Sequence, residues 1–403
     1  METKYLFGLE HLYTLQNATT VVFDCETTGL QPKFGGLRLL QFAALDREPV
    51  VIDCWELEDH DWVTLEEFFA QKRYWVAHNA VFDLGWLQEH ELYPEGVVLC
   101  TMLASRILTN GLPNVKHGLQ HVVKRYLGHE ISKELQASDW SGELTQEQLY
   151  YAAKDVAMLV ELDGPINQRM SIANLHRAWF LECKALPAMA QLWRTGLPFD
   201  RKSLMDAALP VYQKLPRDPD GSINTRAKAT GTIRAGNKME AGFNLNSPKQ
   251  LLHVFTALLG QEPIDANGKA SASRQALREY AGDHPVVAQY LAWKRVEKRR
   301  QMVESLLKHM AADGFIRASY MQLGADTGRM SCISPNLQQI PRDSRFRACV
   351  KAFPGWKLVD ADFSQMELRL AAVEAEDQLM IKAFQEGTDL HTLTAMQIYG
   401  VSE

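Results

Sequence analysis

The sequence predicts an α/β protein in which a strand-rich segment is followed by a long helical part. Residues 19–25 and 37–45 are rich in β-branched and aromatic side chains and predict two neighbouring strands, with a third at residues 49–54. Between residues 77 and 163 the pattern becomes mostly helical. Strands followed by helices indicate an α/β domain that ends at about residue 170, and a chain of 403 residues has room for one or two further domains.

Helical signals dominate the rest of the chain. Residues 181–193 are apolar at helical spacing. Ser247 and Pro248 have the features of a helix start, with the serine as N-cap and the proline in the first turn. Residues 285–310 carry apolar side chains at helical spacing and predict a long helix with one buried face.

The charge is distributed unevenly along the sequence. The formal net charge is −6, but residues 1–170 carry −12 and the remainder carries +6, which fits nucleic-acid binding by the later part. Within the helix predicted at residues 285–310, four basic side chains form a separate stripe: Lys294, Arg295, Lys298 and Arg299. The stripe predicts contacts with nucleic-acid phosphates, and a solvated basic face is the alternative.

Composition argues against several other classes of protein. Apolar residues make up 46% and charged residues 23%, which is typical of a soluble globular protein with a core. No run of 18 apolar residues is present and the first residues predict no signal peptide, so we expect no membrane contact. The six cysteines show neither a C-x-x-C pair nor zinc spacing. They predict reduced, buried thiols in a cytoplasmic protein, which for a viral protein means the host cytoplasm.

A pair of carboxylates ends the first predicted strand. Asp24 and Glu26 are two residues apart, so a strand points both to the same face. Two adjacent carboxylates repel each other unless a cation lies between them. The pair therefore suggests a metal site, although a D-x-E motif alone is weak support.

Two further pairs have helical spacing. Asn79 and Asp83 are four residues apart, as are Tyr151 and Asp155, so each pair shares a face if its segment is helical. Asp83 and Asp155 lie among apolar neighbours in the sequence. A buried carboxylate needs a partner, and a divalent metal ion is the obvious one.

In this order, the D-x-E, N-x3-D and Y-x3-D motifs resemble the proofreading exonucleases that use four acidic residues and a tyrosine. The resemblance implies a ribonuclease-H-like domain over residues 1–175, with a mixed sheet flanked by helices. It also implies 3′-5′ phosphodiester hydrolysis that depends on two Mg²⁺ or Mn²⁺ ions, which stabilise the attacking and leaving oxygens.

The resemblance assigns roles residue by residue. Asp24, Glu26 and Asp155 would bind one ion, Asp24 and Asp83 would hold the second, and Tyr151 would orient the attacking water. Thr27 and Leu30 match positions that contact the terminal nucleotide, and the motif residue Asn79 is grouped with them as substrate-binding. His78, next to it, is interpreted as structural.

Three later motifs follow in order: T-G-R-M-S at residues 327–331, P-N-L-Q-Q-I-P at 335–341 and D-F-S-Q-M-E-L-R at 362–369. Together with F-N-L-N-S-P at 243–248, they closely resemble the thumb and early palm of family A DNA polymerases. This resemblance implies a mainly helical thumb and a partial α+β palm over residues 176–403. The layout without a preceding 5′ nuclease domain is found in several bacteriophage members of the family.

The polymerase resemblance also carries site residues. Residues 356–362 predict a strand that ends at Asp362, which matches the family's metal-binding aspartate, before a helix from Gln365. Glu367 matches the residue that packs under the sugar, and His391 a position near the incoming triphosphate.

A second group of residues is expected to contact the DNA duplex: Arg329, Asn336 and Gln338. Their side chains are donors suited to the minor-groove acceptors that every base pair presents. Such contacts tolerate any sequence, as a primer-template requires.

The family's triphosphate-binding Lys-x3-Phe-Gly helix and its second catalytic aspartate do not occur within residues 1–403. We therefore expect polymerisation from dNTPs to need a further segment or a partner chain that carries them. One alternative is a self-sufficient, ribonuclease D-like exonuclease with a polymerase remnant, which the intact Asp362 and Glu367 disfavour. Another is a non-catalytic DNA-binding module, which the four intact exonuclease carboxylates disfavour.

Overall fold

The computed structural model describes residues 4–132, 135, 138–213, 245–352 and 355–400. The chain divides into two compact units, Met1–Lys351 and Ala352–Glu403, and each is described by itself. None of the described helices has the length and apolar character that crossing a bilayer requires.

A six-stranded mixed sheet forms the centre of the first unit. Its strands are β1 (Leu6–Phe7), β2 (Thr20–Thr27), β3 (Leu37–Ala43), β4 (Val50–Asp53), β5 (Arg73–Ala77) and β6 (Gly96–Cys100). The order is β1-β4-β3-β2-β5-β6, with β3 antiparallel to both neighbours and the other pairs parallel. The three strands predicted from the sequence are confirmed as β2, β3 and β4. The sequence pattern did not reveal β5 and β6, which are runs of only five residues, and β6 lies within the segment of mostly helical periodicity.

Helices cover this sheet, as the predicted α/β class requires. They are α1 (Asp59–Phe69), α2 (Val81–Glu89), α3 (Thr101–Leu108), α4 (Leu119–Leu127), α5 (Gln146–Ile172), α6 (His176–Lys184) and α7 (Leu186–Thr195). The long helix α5 packs against β2 and β3. Its start is fixed by a capping box, in which the Thr145 side chain accepts from the Gln148 backbone and the Gln148 side chain accepts from the Thr145 backbone.

The core around the sheet continues beyond residue 175. Trp179 on α6 is fully buried, and its indole nitrogen donates to the Cys100 carbonyl at 3.0 Å. Trp193 on α7 packs so closely on α2 that a Cβ at Gly85 would lie 2.4 Å from its ring. The packed core around the sheet therefore extends into α6 and α7.

The remainder of the first unit is mainly helical. Its elements are β7 (Leu197–Pro198), α8 (Arg201–Gln213), α9 (Pro248–Leu259), α10 (Arg274–Leu277), α11 (Pro285–His309), β8 (Phe315–Ile316), β9 (Ser319–Met321), β10 (Ser331–Ile333) and α12 (Ser344–Arg347). Strands β7 and β8 form one antiparallel pair, and β9 and β10 form another. The helices predicted after Ser247 and at residues 285–310 are confirmed as α9 and α11, and Ser247 caps α9 as expected. The first two residues of the 243–248 motif lie outside the described residues.

The second unit contains α13 (Met366–Glu374), α14 (Gln378–Gln385) and α15 (Leu390–Tyr399). The helix expected from Gln365 is confirmed as α13, with Gln365 as its N-cap. The strand predicted at residues 356–362 is wrong, since this segment has no regular structure. No strand occurs among residues 355–400 to pair with it, and Val359 is 90% exposed. A lone β-segment cannot satisfy its backbone hydrogen bonds through a ladder, so its local propensity does not produce a strand.

Candidate functional site

Three carboxylates converge where β2 meets α5. Strand β2 carries Asp24 and Glu26 on one face, and α5 carries Asp155. One oxygen from each lies within 4.8 Å of the others, and Asp155 is buried. Three carboxylates at this spacing repel one another, and an all-oxygen set suits a hard divalent cation such as Mg²⁺ or Mn²⁺.

The fourth carboxylate, Asp83, lies in the first turn of α2 and is 1% exposed. Its Oδ1 accepts a hydrogen bond from the Cys25 thiol at 3.2 Å, and its Oδ2 has no partner among the described residues. Burial raises the pKa of Asp83 to about 7, although the bond from Cys25 opposes the shift. Asp83 is not one of the three clustered carboxylates. Its unpartnered buried oxygen nevertheless fits a cation, which would compensate for the cost of burying the charge.

Asn79 does not share a helical face with Asp83, and this part of the sequence interpretation is wrong. Helix α2 begins at Val81, and Asn79 precedes it with φ of 65°. The chain turns sharply from β5 into α2, and asparagine tolerates the left-handed backbone conformation better than most residues. Asn79 still lines the same cleft as Asp83.

Tyr151 and Asp155 do share a face of α5, as their spacing predicted. The tyrosine hydroxyl hydrogen bonds to the Asp155 side chain. Burial raises the pKa of Tyr151 far above its usual range, and the negative charges of Asp155, Glu26 and Asp24 raise it further. The hydroxyl therefore remains protonated and can act as a hydrogen-bond donor beside the carboxylates.

A cleft of about 1140 Å³ opens over these residues. Its lining includes Thr27, Leu30 and Asn79, the three residues expected to contact the terminal nucleotide. The Thr27 hydroxyl donates to the Gly29 carbonyl at 2.8 Å, which fixes the turn after β2. Leu30 is 79% exposed and offers an apolar surface at the cleft.

His78 lies beside the motif and has both ring nitrogens in hydrogen bonds. Nδ1 pairs with the Thr101 hydroxyl at 2.8 Å and Nε2 with the His117 carbonyl at 2.9 Å. These contacts agree with a structural role.

Burial and the charges of Arg106 and Arg125 lower the pKa of His117 to about 4, so that imidazole is neutral at physiological pH.

One wall of the cleft was not predicted from the sequence. The turn at residues 323–326 lines it, together with the segment at 109–121 and Arg106. The Arg106 guanidinium donates to the Met321 sulfur at 3.7 Å, which connects α3 to β9. Arg106 could have been found from the sequence, because it is the single charged residue in helix α3. No local sequence feature indicates that the turn at 323–326 lies at the cleft.

The predicted basic stripe on α11 separates into two parts. Arg295, Lys298 and Arg299 line a cleft of about 430 Å³ with Arg274 of α10. Lys294 is absent from that lining, is half-buried, and donates to the Asn246 side chain at 2.8 Å. Three of the four stripe residues thus share a basic surface. Arg274 also belongs to this surface, and the sequence analysis did not predict it.

The structure connects the two motifs that flank β10. The Asn336 side chain accepts from the Gln338 backbone at 3.1 Å and caps a short 3-10 helix. The Gln338 amide donates to the Met330 carbonyl at 3.2 Å. Arg329, beside Met330, is exposed.

In the second unit the predicted residues are exposed. Asp362 lies in the irregular segment before α13, Glu367 is in the first turn of α13, and His391 is in the first turn of α15. The starts of these two helices are linked, because the Gln365 amide donates to the Asp389 carboxylate at 2.9 Å.

Two family models match this chain. Residues 8–171 match a 3′-5′ exonuclease and residues 223–403 match DNA polymerase family A. DNA polymerase I of Aquifex aeolicus is 31% identical over 100% of this chain and 69% of its own length. DNA polymerase I of Pseudomonas aeruginosa is 29% identical, over 97% of this chain and 44% of its own length.

A solved structure has the same fold over nearly the whole chain. It is described as the POL domain of Pol1 from M. smegmatis in complex with DNA primer-template and dNTP, and it matches with a TM-score of 0.75 and 22% identity. The match covers 98% of this chain and 66% of that one. This chain belongs to DNA polymerase family A and contains a 3′-5′ exonuclease domain. It spans about two thirds of the Aquifex relative and less than half of the Pseudomonas one.

Proposed function

We propose that this chain removes nucleotides from DNA 3′ ends by divalent-metal-dependent hydrolysis, as the proofreading part of a family A DNA polymerase. The observation that carries the proposal is the convergence of Asp24, Glu26 and Asp155 within 4.8 Å beside Tyr151. The family membership supports it, since the exonuclease model matches the segment that holds all of these residues.

The carboxylates have distinct roles in this proposal. Asp24, Glu26 and Asp155 hold one cation, and Asp83, whose buried Oδ2 has no partner among the described residues, contributes with Asp24 to a second. When bound, such cations stabilise the negative charge that develops on the phosphodiester oxygens. The Tyr151 hydroxyl, held by its hydrogen bond to Asp155, orients the attacking water through its oxygen.

The cleft supplies the contacts that hold the 3′ end. Leu30 presents an apolar surface to the terminal nucleotide, while Thr27 and Asn79 offer polar contacts within the same cleft. Arg106 and Lys116 also line the cleft and supply positive charge for the phosphates.

The polymerase segment is proposed to bind the primer-template. Arg295, Lys298 and Arg299 face a common basic cleft, which suits phosphate contacts. The M. smegmatis structure of the same fold contains a primer-template and dNTP, which agrees with this assignment. The corresponding proposals are minor-groove contacts by Arg329, Asn336 and Gln338, a metal-binding role for Asp362, and roles next to the incoming nucleotide for Glu367 and His391.

The experiment is degradation of single-stranded DNA labelled at its 5′ end, with Mg²⁺ or with EDTA. We expect a ladder of products shortened from the 3′ end, which requires the cation and is lost in Asp24→Asn. A DNA blocked at its 3′ end should be resistant. Degradation that persists in EDTA, or in Asp24→Asn, contradicts the proposal.

A further inference from the structure

Gln41 is a polar residue in the middle of the sheet. It lies on β3, paired with Asp24 of β2 on one side and Val51 of β4 on the other, and its relative exposure is 0%. Within the part of the chain that the structure describes, neither its amide nitrogen nor its amide oxygen has a hydrogen-bond partner. A buried amide without a partner is destabilising, so this position calls for a physical explanation.

The register places this amide on the same face as the carboxylate cluster. Directly opposed residues of an antiparallel pair project to the same side of the sheet, so Gln41 shares the face of Asp24. By the same rule Leu39 shares the face of Glu26. Leu39 and Val51 pack in one cluster with Tyr151, so this face lies under α5, which also carries Asp155.

The chemistry of the site explains what the amide can do there. Carboxylates that bind a metal ion are held in orientation by hydrogen bonds from groups behind them. An amide nitrogen is a donor without charge, so it can bond to Asp24 without competing with a cation for the negative oxygens. An apolar side chain at position 41 would fill the same space but could not donate.

We infer that Gln41 is a positioning residue of the cation site, and that its amide nitrogen donates to the Asp24 carboxylate when a divalent cation is bound. This inference rests on the proposed function, which assigns the cation to Asp24. It adds a residue that no sequence motif marks and gives a reason for the polar residue within Leu39-Leu40-Gln41-Phe42-Ala43.

The test is Mn²⁺ binding by the full chain without DNA, measured by calorimetry. Gln41→Met removes the amide at similar volume, and Gln41→Leu repeats the removal with another shape. We expect both to weaken Mn²⁺ binding by about 10- to 100-fold. The melting temperature of the metal-free protein should be unchanged or higher, because the amide has no hydrogen bond to lose within the part of the chain that the structure describes.

Thr256→Val is the matched control. The Thr256 hydroxyl on α9 is also buried without a partner among the described residues, and its removal should leave Mn²⁺ binding unchanged. Asp24→Asn identifies the binding site, since it should abolish the high-affinity phase of Mn²⁺ binding. If that phase disappears in Asp24→Asn but is unchanged in both Gln41 variants, the inference fails while the proposed cation site stands. If the parent chain binds no Mn²⁺, the cation site and this inference both fail.

Discussion

The side-chain amide of Gln322 donates to both the backbone carbonyl and the carboxylate of Glu182, at 2.8 and 2.7 Å. Glu182 is on α6, which packs on the sheet, whereas Gln322 directly follows β9 in the polymerase segment. The next residues, 323–326, form a wall of the acidic cleft. Within the first unit, the exonuclease cleft is therefore built from both matched segments of the chain.

Replacing Gln322 by Met should loosen that wall. Both bonds to Glu182 are lost, and we expect the free energy of unfolding of the first unit to fall by about 1–2 kcal/mol. The KM for single-stranded DNA should rise more than kcat falls, because the carboxylates are untouched. Urea unfolding and steady-state kinetics measure the two effects. Gln261→Met is the control, since it removes a hydrogen bond from the Gln261 side-chain amide to the Tyr280 hydroxyl that is exposed to solvent. If Gln322→Met and Gln261→Met changed the unfolding free energy and the KM equally, the turn at 323–326 would not contribute to DNA binding as expected.

Asp155→Asn should lower the rate of 3′ end removal by several orders of magnitude without unfolding the protein. The substitution removes one of three converging charges, so repulsion in the metal-free site decreases and its melting temperature should not fall. Asp163→Asn changes a carboxylate on the same helix that bonds to Asn167 away from the cleft. The control should keep near-parental activity, and loss of activity in both variants would point to a general effect on α5.

Tyr151→Phe tests the hydroxyl beside Asp155. Removal of a positioned donor typically costs about 10²-fold in kcat, and we expect an effect of that size with little change in KM. Tyr150→Phe, one residue earlier on α5, should be nearly silent.

The pH dependence gives a second test of Tyr151. Since burial and nearby carboxylates raise its pKa well above the usual value of a tyrosine, the hydroxyl remains protonated through pH 10. Ionisation of Tyr151 should therefore not lower the rate near pH 10. The pH profiles of the parent and of Tyr151→Phe should have the same shape in this range. A decline near pH 10 that occurs only in the parent would mean that the hydroxyl ionises in its normal range, contrary to its buried environment.

The basic cleft predicts a salt dependence of duplex binding. Each of Arg295→Ala, Lys298→Ala and Arg299→Ala should reduce the slope of log affinity against log salt by about one unit. Lys294→Ala should leave the slope nearly unchanged, because that ammonium is half-buried against Asn246. Fluorescence anisotropy over a salt series measures both. If the slope is unchanged in the first three variants, these residues do not contact phosphates and the surface is only a solvated basic face.

Local periodicity explains what could be predicted. The two-residue period of β2 aligned Asp24 with Glu26, and the helical period of α5 aligned Tyr151 with Asp155, without reference to any other element. The same reasoning misplaced Asn79, because the connection from β5 to α2 requires a left-handed residue before the helix begins. It also predicted a strand at residues 356–362, although strand formation depends on a neighbour to pair with.

By itself, the sequence determined the family, the candidate acidic residues and the faces that Asp24, Glu26 and Asp155 occupy within their own elements. Those features depend on side-chain chemistry and on backbone periods that are local. Only the tertiary structure decided that Asp155 meets Asp24, that Gln41 lies buried next to Asp24 with no hydrogen-bond partner among the described residues, and that Gln322 brings the turn at 323–326 to the cleft. These relationships join residues far apart in the chain, and they depend on how strands and helices pack, which no local pattern encodes.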